Sequence, residues 1–382
     1  MKKEIFVNRF KGLCRELVEE TKKEYHHFKI KATDSMGFIT YRCTSRCHTC
    51  NIWKRNVDPG REELSKQEWI KVLSRLKQYG IRSFEVFGGD ALLRKDVVLE
   101  ILNYCKENDI DTYFPTNANL CDRSTVREMI DAGLGTIYLS IDDVGEMHDK
   151  VRGIEGTFSR VKQALEYFVE ERGSCSFPKI IVCTTISNLN YKSFPELLEF
   201  LGKYPIDAVY PRPLGEFSSI NIQKSEIDGS FPEPYFISSD GNSHLMSTVE
   251  LNGMKQVLNR VKESEQKLYV NYRTFYGTKD DTFLTGEYDF KHCHIATTFV
   301  TVNPNGDVVP CPSFRSYVIG NLVERPLEEI WGNKKHRDFI RYQQRKQISL
   351  CRNCNMRVYY PSMLETFQYY YRRGLELCGL EG

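Results

Sequence analysis

Several features that would mark an exported, membrane-spanning or nucleic-acid-binding protein are missing from this sequence. No stretch approaches the ~18 uncharged apolar residues that a membrane-spanning helix needs. The chain opens on Met1-Lys2-Lys3-Glu4 and continues as a charged amphipathic segment, which argues against a signal peptide. Lysine and arginine (53) nearly balance aspartate and glutamate (51), so a net charge of +2 gives no field that attracts nucleic acid or an anionic membrane. We therefore expect a cytoplasmic protein with no nucleic-acid or membrane partner.

Cysteine, by contrast, is abundant, with 13 among the 382 residues. In a chain without an export signal, so many cysteines indicate metal or redox chemistry in a reducing compartment rather than disulfides. A hydrophobic fraction of 41% and a charged fraction of 27% are ordinary for a globular protein. A chain of this length can bury a large core and form two or more domains.

Three cysteines with C-x3-C-x2-C spacing, Cys43, Cys47 and Cys50, follow directly on the apolar, strand-like run 37–42. Three thiolates can hold three irons of a cubane cluster and leave the fourth open, whereas an electron-carrying cluster takes four. An open position is typical of a catalytic metal site. The spacing also fits one face of a helix, but the Thr and Ser residues between the cysteines favour turns. The sequence therefore predicts a catalytic iron–sulfur site on a loop.

This motif resembles the signature of the radical S-adenosylmethionine (SAM) enzymes, which follows the first strand of a partial (β/α)6 barrel. The resemblance implies that Cys43, Cys47 and Cys50 hold a [4Fe–4S] cluster and that SAM chelates its open iron. An electron from the cluster then cleaves SAM to methionine and a 5′-deoxyadenosyl radical, which removes a hydrogen atom from the substrate. A reductant such as flavodoxin or ferredoxin would supply that electron.

Strand-like and helix-like segments alternate after the cysteine motif. Strands are predicted at 37–42, 83–87, 111–116, 136–141, 179–185 and 208–210, and helices at 65–79, 94–107, 123–133, 157–171 and 193–203. Alternation of this kind predicts a parallel α/β sheet, here two units short of a closed eight-stranded barrel. We therefore expect a partial (β/α)6, TIM-like barrel with its reactive groups at the carboxyl ends of the strands.

The predicted domain order has three parts. A helix at 1–34 precedes the barrel, which covers 35–245 and ends in an irregular stretch at 213–245 that is rich in Ser, Gly, Pro and Asn. This stretch is either a linker or a long lid over the barrel mouth, since long ordered loops are usually functional. Residues 246–382 then form a small cysteine-rich domain with a β-hairpin, followed by a helical tail.

The turns after the second and third predicted strands suit the binding of SAM. Gly88, Gly89 and Asp90 follow the second strand, where two glycines allow the backbone to approach a ligand closely. They resemble the family's Gly-Gly-Glu motif, which binds the amino group of SAM. Asn117 ends the third strand in a turn that resembles the family's Thr-Asn-Gly, with a simple Asx turn as the alternative.

The end of the fourth predicted strand carries two further candidates. Ser140 closes this strand and Arg152 lies in the loop beyond it. The resemblance assigns a serine and an arginine of this stretch to the amino-acid part and the ribose of SAM. Arg152 suits the carboxylate because a guanidinium makes bidentate contacts and is always charged, and a surface salt bridge is the alternative.

A second set of cysteines lies in the C-terminal part of the chain: Cys293, Cys311, Cys351 and Cys354. Four cysteines can ligate one [4Fe–4S] cluster fully, or equally a structural zinc ion, which the spacing alone slightly favours. The pattern C-x12-G-x4-C, with a hairpin tip at 303–307, resembles the start of the SPASM and shortened twitch extensions of radical SAM enzymes, which carry auxiliary iron–sulfur clusters. Tyr360 stands where a full SPASM domain has its next cysteine, so the resemblance implies one auxiliary cluster.

A single fully ligated auxiliary cluster suggests an oxidation. A substrate radical beside such a cluster can lose a proton and an electron, which amounts to a two-electron dehydrogenation. The resemblance to twitch enzymes favours a sugar, an aminocyclitol or a similar small molecule as substrate, with peptide modification (crosslinking, thioether formation or epimerisation) as the alternative. Candidates for catalysis at the barrel mouth, where a base is needed, are Asp142, Tyr210, Arg212, Tyr272 and His294.

Overall fold

The computed structural model describes most of the chain between Ile30 and Asn355. The described residues are 30–55, 62–237, 243–263, 268–272, 275, 278–288, 293–355 and 371. The predicted helical tail and nearly all of the predicted helix at 1–34 lie outside them, and Asp34 already belongs to a strand. Within the described residues, no helix has the length and the apolar character that crossing a membrane would require.

The strands form one sheet of nine members. They are β1 Asp34–Phe38, β2 Ser83–Phe87, β3 Asp111–Thr116, β4 Thr136–Ser140, β5 Lys179–Ile186, β6 Ala208–Pro213, β7 Phe299–Val302, β8 Asp307–Val309 and β9 Gly320–Asn321. Their order is β6-β5-β4-β3-β2-β1-β7-β8-β9. All pairs from β6 to β7 are parallel, while β8 and β9 add an antiparallel extension. The predicted fold class, a partial (β/α)6 barrel followed by a hairpin-containing extension, is confirmed.

Helices connect the parallel strands as predicted. The helices of the barrel are Lys66–Tyr79, Lys95–Glu107, Arg123–Asp131, Glu146–Arg152, Thr157–Arg172 and Phe194–Leu201. Those that follow the barrel are Ser219–Gln223, Thr248–Glu263, Asp280–Thr285, Ile295–Thr298, Leu327–Ile330 and Lys334–Gln344. The short helix Glu146–Arg152 was not predicted, because its charged sequence shows no apolar stripe.

β1 begins and ends earlier than the predicted 37–42, because its pairing with β2 and β7 determines which residues belong to the strand. Asp34 pairs with Phe299 of β7, and Phe38 pairs with Phe87 of β2. The chain after Phe38 leaves the regular ladder and receives hydrogen bonds from the turn that follows β2. The Gly89 N–H donates to the Thr40 carbonyl at 2.8 Å. The cysteine motif therefore starts from an irregular segment rather than from the strand itself.

The core lies between the sheet and the helices packed on it. Trp69, from the first barrel helix, and Phe84 of β2 are fully buried, with ring centroids 6.1 Å apart. Gly37 of β1 lies directly beneath both rings. A Cβ at this position would lie 2.5 Å from Phe84 Cζ and 2.8 Å from the Trp69 ring, so only glycine fits.

Gly37→Ala is expected to lower the free energy of unfolding by about 1–3 kcal/mol, because overpacking a tight core forces side chains or backbone to move. Denaturant unfolding followed by circular dichroism measures the change. Gly202→Ala serves as the control, since Gly202 has a right-handed φ of −63° at a helix end and accepts a side chain with little strain. Equal stability of the Gly37→Ala variant and the parent would contradict this packing.

Candidate active site

Cys43, Cys47 and Cys50 lie on an irregular loop beyond the carboxyl end of β1. This stretch, which is described throughout, contains no helix, in agreement with the loop prediction. All three thiols are partly buried. The Ser45 N–H points to Cys43 Sγ at 3.4 Å and the Ile52 N–H to Cys50 Sγ at 3.5 Å. Backbone amides of the loop are thus arranged to stabilise negative sulfur.

Burial dominates the acidity of these thiols. It raises the pKa of Cys43 to about 11 and that of Cys50 to about 12, and the charge of Cys47 adds to both increases. Burial also raises the pKa of Cys47, against the lowering effect of Arg152. The thiols of Cys43, Cys47 and Cys50 are therefore close enough for their charges to influence one another. Coordination to a metal would displace their protons, because thiols bind metals as thiolates.

Arg152 connects the cysteine loop to the end of β4. Its Nη1 lies 3.9 Å from Cys47 Sγ, and its Nη2 lies 2.8 Å from Asp142 Oδ2. The side chains of Arg152 and Asp142 are only 15% and 2% exposed, so the surface salt bridge considered from the sequence is instead a buried pair. Arg152 Nε is buried and has no hydrogen-bond partner among the described residues. This N–H is available to an anionic ligand such as the predicted SAM carboxylate.

The carboxylate of Asp142 is engaged on both oxygens. Oδ2 pairs with Arg152, and Oδ1 accepts a hydrogen bond from the Thr185 N–H at 2.9 Å. Its predicted catalytic role remains untested, but the geometry favours a charge partner for Arg152 over a proton acceptor.

The missed helix Glu146–Arg152 supports the loop through its carboxyl end. The Arg46 N–H donates to the Arg152 carbonyl and the His48 N–H to the Val151 carbonyl, both at 3.0 Å. Gly153 caps this helix with a left-handed φ of +68°. A Cβ on Gly153 would clash with the Arg46 carbonyl oxygen. The cysteine loop is therefore hydrogen-bonded to the end of a helix whose C-cap position, Gly153, accepts only glycine.

Two predicted SAM-binding residues, Asn117 and Asp90, also bind the cysteine loop. Asn117 Nδ2 lies 3.8 Å from Cys43 Sγ and 3.2 Å from Thr44 Oγ1, while its Oδ1 accepts the Asn119 N–H at 3.0 Å. The alternative Asx turn is therefore present as well. Asp90, which is buried, accepts hydrogen bonds from the Thr44 hydroxyl and from a backbone amide of the turn that it caps. Contact of these side chains with SAM stays a prediction.

Gly88 and Gly89 let the turn after β2 lie against the backbone that leads into the motif. A Cβ on Gly88 would lie 2.5 Å from the Thr40 carbonyl oxygen, and one on Gly89 would clash with the Arg42 carbonyl. Both glycines thus have a structural requirement beside their predicted role in binding SAM. Ser140, at the end of β4, pairs in register with Cys183 of β5, and its contact with SAM stays a prediction.

The interior of the barrel carries the predicted Tyr210 and Arg212 and one residue that the sequence analysis missed. The other two candidates, Tyr272 and His294, lie outside the barrel strands, and His294 precedes the helix Ile295–Thr298. Tyr210 of β6 lies 6.3 Å, between ring centroids, from Tyr138 of β4. Arg212, two positions further along β6, is exposed, and its positive charge acts on Glu85 of β2 and on Cys183. Glu85 was not predicted, because in the sequence it looks like an ordinary polar position of an alternating strand. Its placement on the same face as Phe87 could have indicated that it faces the interior.

The second cysteine set surrounds the hairpin β7–β8. Cys293 precedes β7, Cys311 follows β8, and Cys351 and Cys354 lie at the end of the described C-terminal region. Burial raises the pKa of Cys311, and the charges of Cys354 and Cys293 raise it further, so these three thiols lie near one another. The predicted hairpin tip is present, with Gly306 at a φ of +85°.

No three Cys, His, Asp or Glu side chains in the described ranges converge on one point as the ligands of a single metal ion do. A cubane instead takes one thiolate at each iron corner.

A short segment of the irregular stretch, residues 233–237, joins the two cysteine sets, and we call it the strap. The Asn51 N–H, next to Cys50, donates to the Tyr235 carbonyl. At its other end, the Glu233 carboxylate pairs with Arg315 Nε at 2.6 Å. Residues 238–242 lie outside the described residues. These contacts show that residues 233–237 are an ordered part of the fold, and the lid over the barrel mouth stays a prediction.

Comparisons with known proteins agree with this geometry. Residues 38–201 match the family model of the Radical SAM superfamily, and residues 293–355 match that of the SPASM iron–sulfur cluster-binding domain. The chain is 22% identical over 305 residues to the Fe-coproporphyrin III synthase of Methanosarcina barkeri, covering 77% of the chain and 72% of that protein. It is 23% identical over 330 residues to the PqqA peptide cyclase of Bradyrhizobium diazoefficiens, covering 84% of the chain and 77% of that protein.

A solved structure shares the fold. The crystal structure of Streptococcus suis SuiB bound to precursor peptide SuiA superposes with a TM-score of 0.60 and 17% sequence identity. The likeness covers 91% of this chain and 75% of that one.

Gly153→Ala is expected to displace the cysteine loop, because the new Cβ meets the Arg46 carbonyl. The variant should lose about four of about eight irons after anaerobic reconstitution, together with the electron paramagnetic resonance signal that responds to SAM.

Gly80→Ala is the matched control for this prediction. Gly80 also caps a helix, Lys66–Tyr79, in the left-handed region with a φ of +108°, but nothing lies within 4 Å of its Cβ position, so only the backbone strain of about 1–2 kcal/mol is shared. Full retention of the SAM-responsive signal in Gly153→Ala, or equal loss in both variants, would contradict the proposed support of the loop.

Proposed function

The chain is a member of the radical SAM superfamily with a C-terminal SPASM iron–sulfur domain, and from that premise we propose that it modifies a peptide or protein substrate. The family resemblance of the cysteine motifs is thereby confirmed. The observation that carries the proposal is the similarity to a PqqA peptide cyclase over 84% of this chain. Oxidation of a sugar or aminocyclitol, the first expectation from the sequence, finds no support among the relatives reported above, so the peptide alternative takes its place.

The radical SAM domain implies a [4Fe–4S] cluster and SAM, and the SPASM domain implies auxiliary iron–sulfur chemistry, which sets aside the zinc alternative. When bound, the first cluster and SAM supply the 5′-deoxyadenosyl radical that removes a hydrogen atom from the substrate. The residues fit these groups, since the loop carries three partly buried thiols that influence one another's pKa and no fourth cysteine. We assign the auxiliary site to the second cysteine set.

The residues around the first site then have distinct tasks. The three thiolates hold the cluster, and the Arg152 Nε–H donates to the SAM carboxylate while Asp142 keeps the guanidinium in place. Asn117 and Asp90 fix the loop through the Thr44 hydroxyl. A rigid loop matters because a reactive radical has to form within contact distance of one chosen hydrogen atom.

The space between the two cysteine sets suits an amino-acid residue of a peptide. It is lined by tyrosines and by the charged groups of Glu85 and Arg212, which can bind both polar backbone and side-chain groups. The strap passes across this space and links it to the SPASM domain. SuiB, a protein of the same fold, binds a precursor peptide, which shows that this architecture accommodates one.

The proposal predicts that reconstituted protein, with SAM and reduced flavodoxin or dithionite, alters at least one member of a library of synthetic peptides. Crosslinking or thioether formation would lower the peptide mass by two hydrogen atoms, and epimerisation in D2O would add one deuterium. Liquid chromatography–mass spectrometry measures both. Unchanged peptides together with turnover of a porphyrin, the substrate class suggested by the other relative, would refute the proposal.

Cys311→Ala is expected to impair the auxiliary site while leaving the first cysteine site intact. The variant should keep SAM cleavage to 5′-deoxyadenosine, because Cys43, Cys47 and Cys50 are untouched, but lose about half of its iron and most of its product. The matched control is Cys175→Ala, since Cys175 is exposed and outside both sets. Iron quantification and product analysis measure the effect, and wild-type iron content in Cys311→Ala would exclude Cys311 as a ligand.

A further inference from the structure

Glu85 is a carboxylate that the fold places inside the barrel without a partner. It lies on β2, where it pairs in register with Met36 of β1 and Tyr113 of β3. Among the described residues none forms a hydrogen bond or an ion pair with its side chain. The charge of Arg212 acts on it from across the interior, but too far away for an ion pair. Glu85 is only partly exposed, and a carboxylate that loses much of its hydration without gaining a bonded partner is costly, so its presence calls for a functional explanation.

The groups that face Glu85 come from every neighbouring element of the barrel and from the strap. They are Tyr113 of β3, Tyr138 of β4, Cys183 of β5, Arg212 of β6 and Tyr235 of the strap. The Tyr235 hydroxyl is also buried and has no hydrogen-bond partner among the described residues. Two polar side chains with unused hydrogen-bonding capacity therefore border the same space.

This space lies between the two iron–sulfur sites. Tyr235 packs with Phe87 and Cys50 against the aromatic cluster around Phe38, next to the first cysteine set. The charges of both Glu85 and Cys311, a member of the second set, act on the same Tyr235 hydroxyl, whose pKa burial raises well above its ordinary value. A substrate that meets the radical from one side and the auxiliary site from the other would lie against Glu85.

We propose that Glu85 is the proton acceptor of the reaction. The inference rests on the proposed function in that a substrate C–H bond is oxidised. In bond formation between a C–H carbon and an X–H group, one hydrogen atom leaves as part of 5′-deoxyadenosine. The other hydrogen leaves as a proton to a carboxylate oxygen of Glu85, and the remaining electron goes to an iron–sulfur acceptor of the SPASM domain. The C–H and X–H bonds are thereby replaced by one C–X bond, and atoms and electrons balance.

The acid–base character of Glu85 suits this role. Burial raises its pKa to about 7, and the positive charge of Arg212 limits the increase. A base works best when its pKa lies near the operating pH. Tyr138, Tyr235 and Cys183 stay neutral there, because burial raises the pKa of both tyrosines and raises the pKa of Cys183 to about 11. Asp142, the carboxylate favoured from the sequence, is already occupied by Arg152.

The test compares Glu85→Gln with the parent on the substrate found by mass spectrometry. Glu85→Gln should still form 5′-deoxyadenosine at the wild-type rate in the first turnover but yield product about 100-fold or more slowly. Freeze-quenched samples should show an accumulated substrate radical by electron paramagnetic resonance. Product formation by the parent should rise as the pH increases through about 7, since the ionised form accepts the proton, and this dependence should vanish in the variant.

Two further variants make the test specific. Glu85→Asp retains the carboxylate and should restore part of the product. Glu100→Gln, at an exposed position on the helix after β2, should behave as the parent. Iron content and the response of the cluster signal to SAM verify that each variant is assembled.

Product within twofold of the parent with an unchanged pH profile would overturn the inference, as would equal loss of 5′-deoxyadenosine and product. If the substrate proves to be a small molecule, the proposed function fails, while the Glu85 test runs on that molecule and is decided independently.

Discussion

The buried guanidinium of Arg152 holds together parts of the site that are far apart in the sequence. It neutralises Asp142 at the end of β4 and reaches Cys47 in the loop after β1, while the backbone carbonyl of Arg152 accepts a hydrogen bond from Arg46. Removing one partner of a buried pair typically costs about 3–5 kcal/mol, because the other charge stays without compensation. A guanidinium cannot be deprotonated in proteins, so this contact is present at every working pH. The position of the cluster loop thus depends on one permanent charge.

The sheet also fixes the position of the second cysteine set relative to the first. β1 lies between β2 and β7, so the strand that leads to the first cysteine loop is hydrogen-bonded to the strand that follows Cys293. The distance between the two iron–sulfur sites is therefore fixed by strand register rather than by a flexible linker. The strap adds a second connection through Glu233 and Arg315. A fixed separation suits a reaction in which a radical is made at one site and an electron leaves toward the other.

The sequence predicted the barrel and both cysteine sets because these signals are local. Apolar periodicity marks strands and helices, and the spacing from Cys43 to Cys50 is contained within one loop. The boundary of β1 could not be predicted, since its pairing with β7 depends on residues far along the chain. The helix ending at Arg152 was missed because tertiary contacts, not an apolar stripe, stabilise it. The environment of Glu85 forms only when the parallel strands assemble into the sheet. No local sequence pattern encodes that environment.

The place of β1 in the middle of the sheet also has a consequence for biosynthesis. Thr33, at its start, contacts Thr298, which is 265 residues away. At about 5–20 residues per second, a ribosome needs roughly 13–50 s to deliver the partner strand after β1 has emerged. During that interval one edge of β1 has no neighbour, and unpaired edges invite association with other chains.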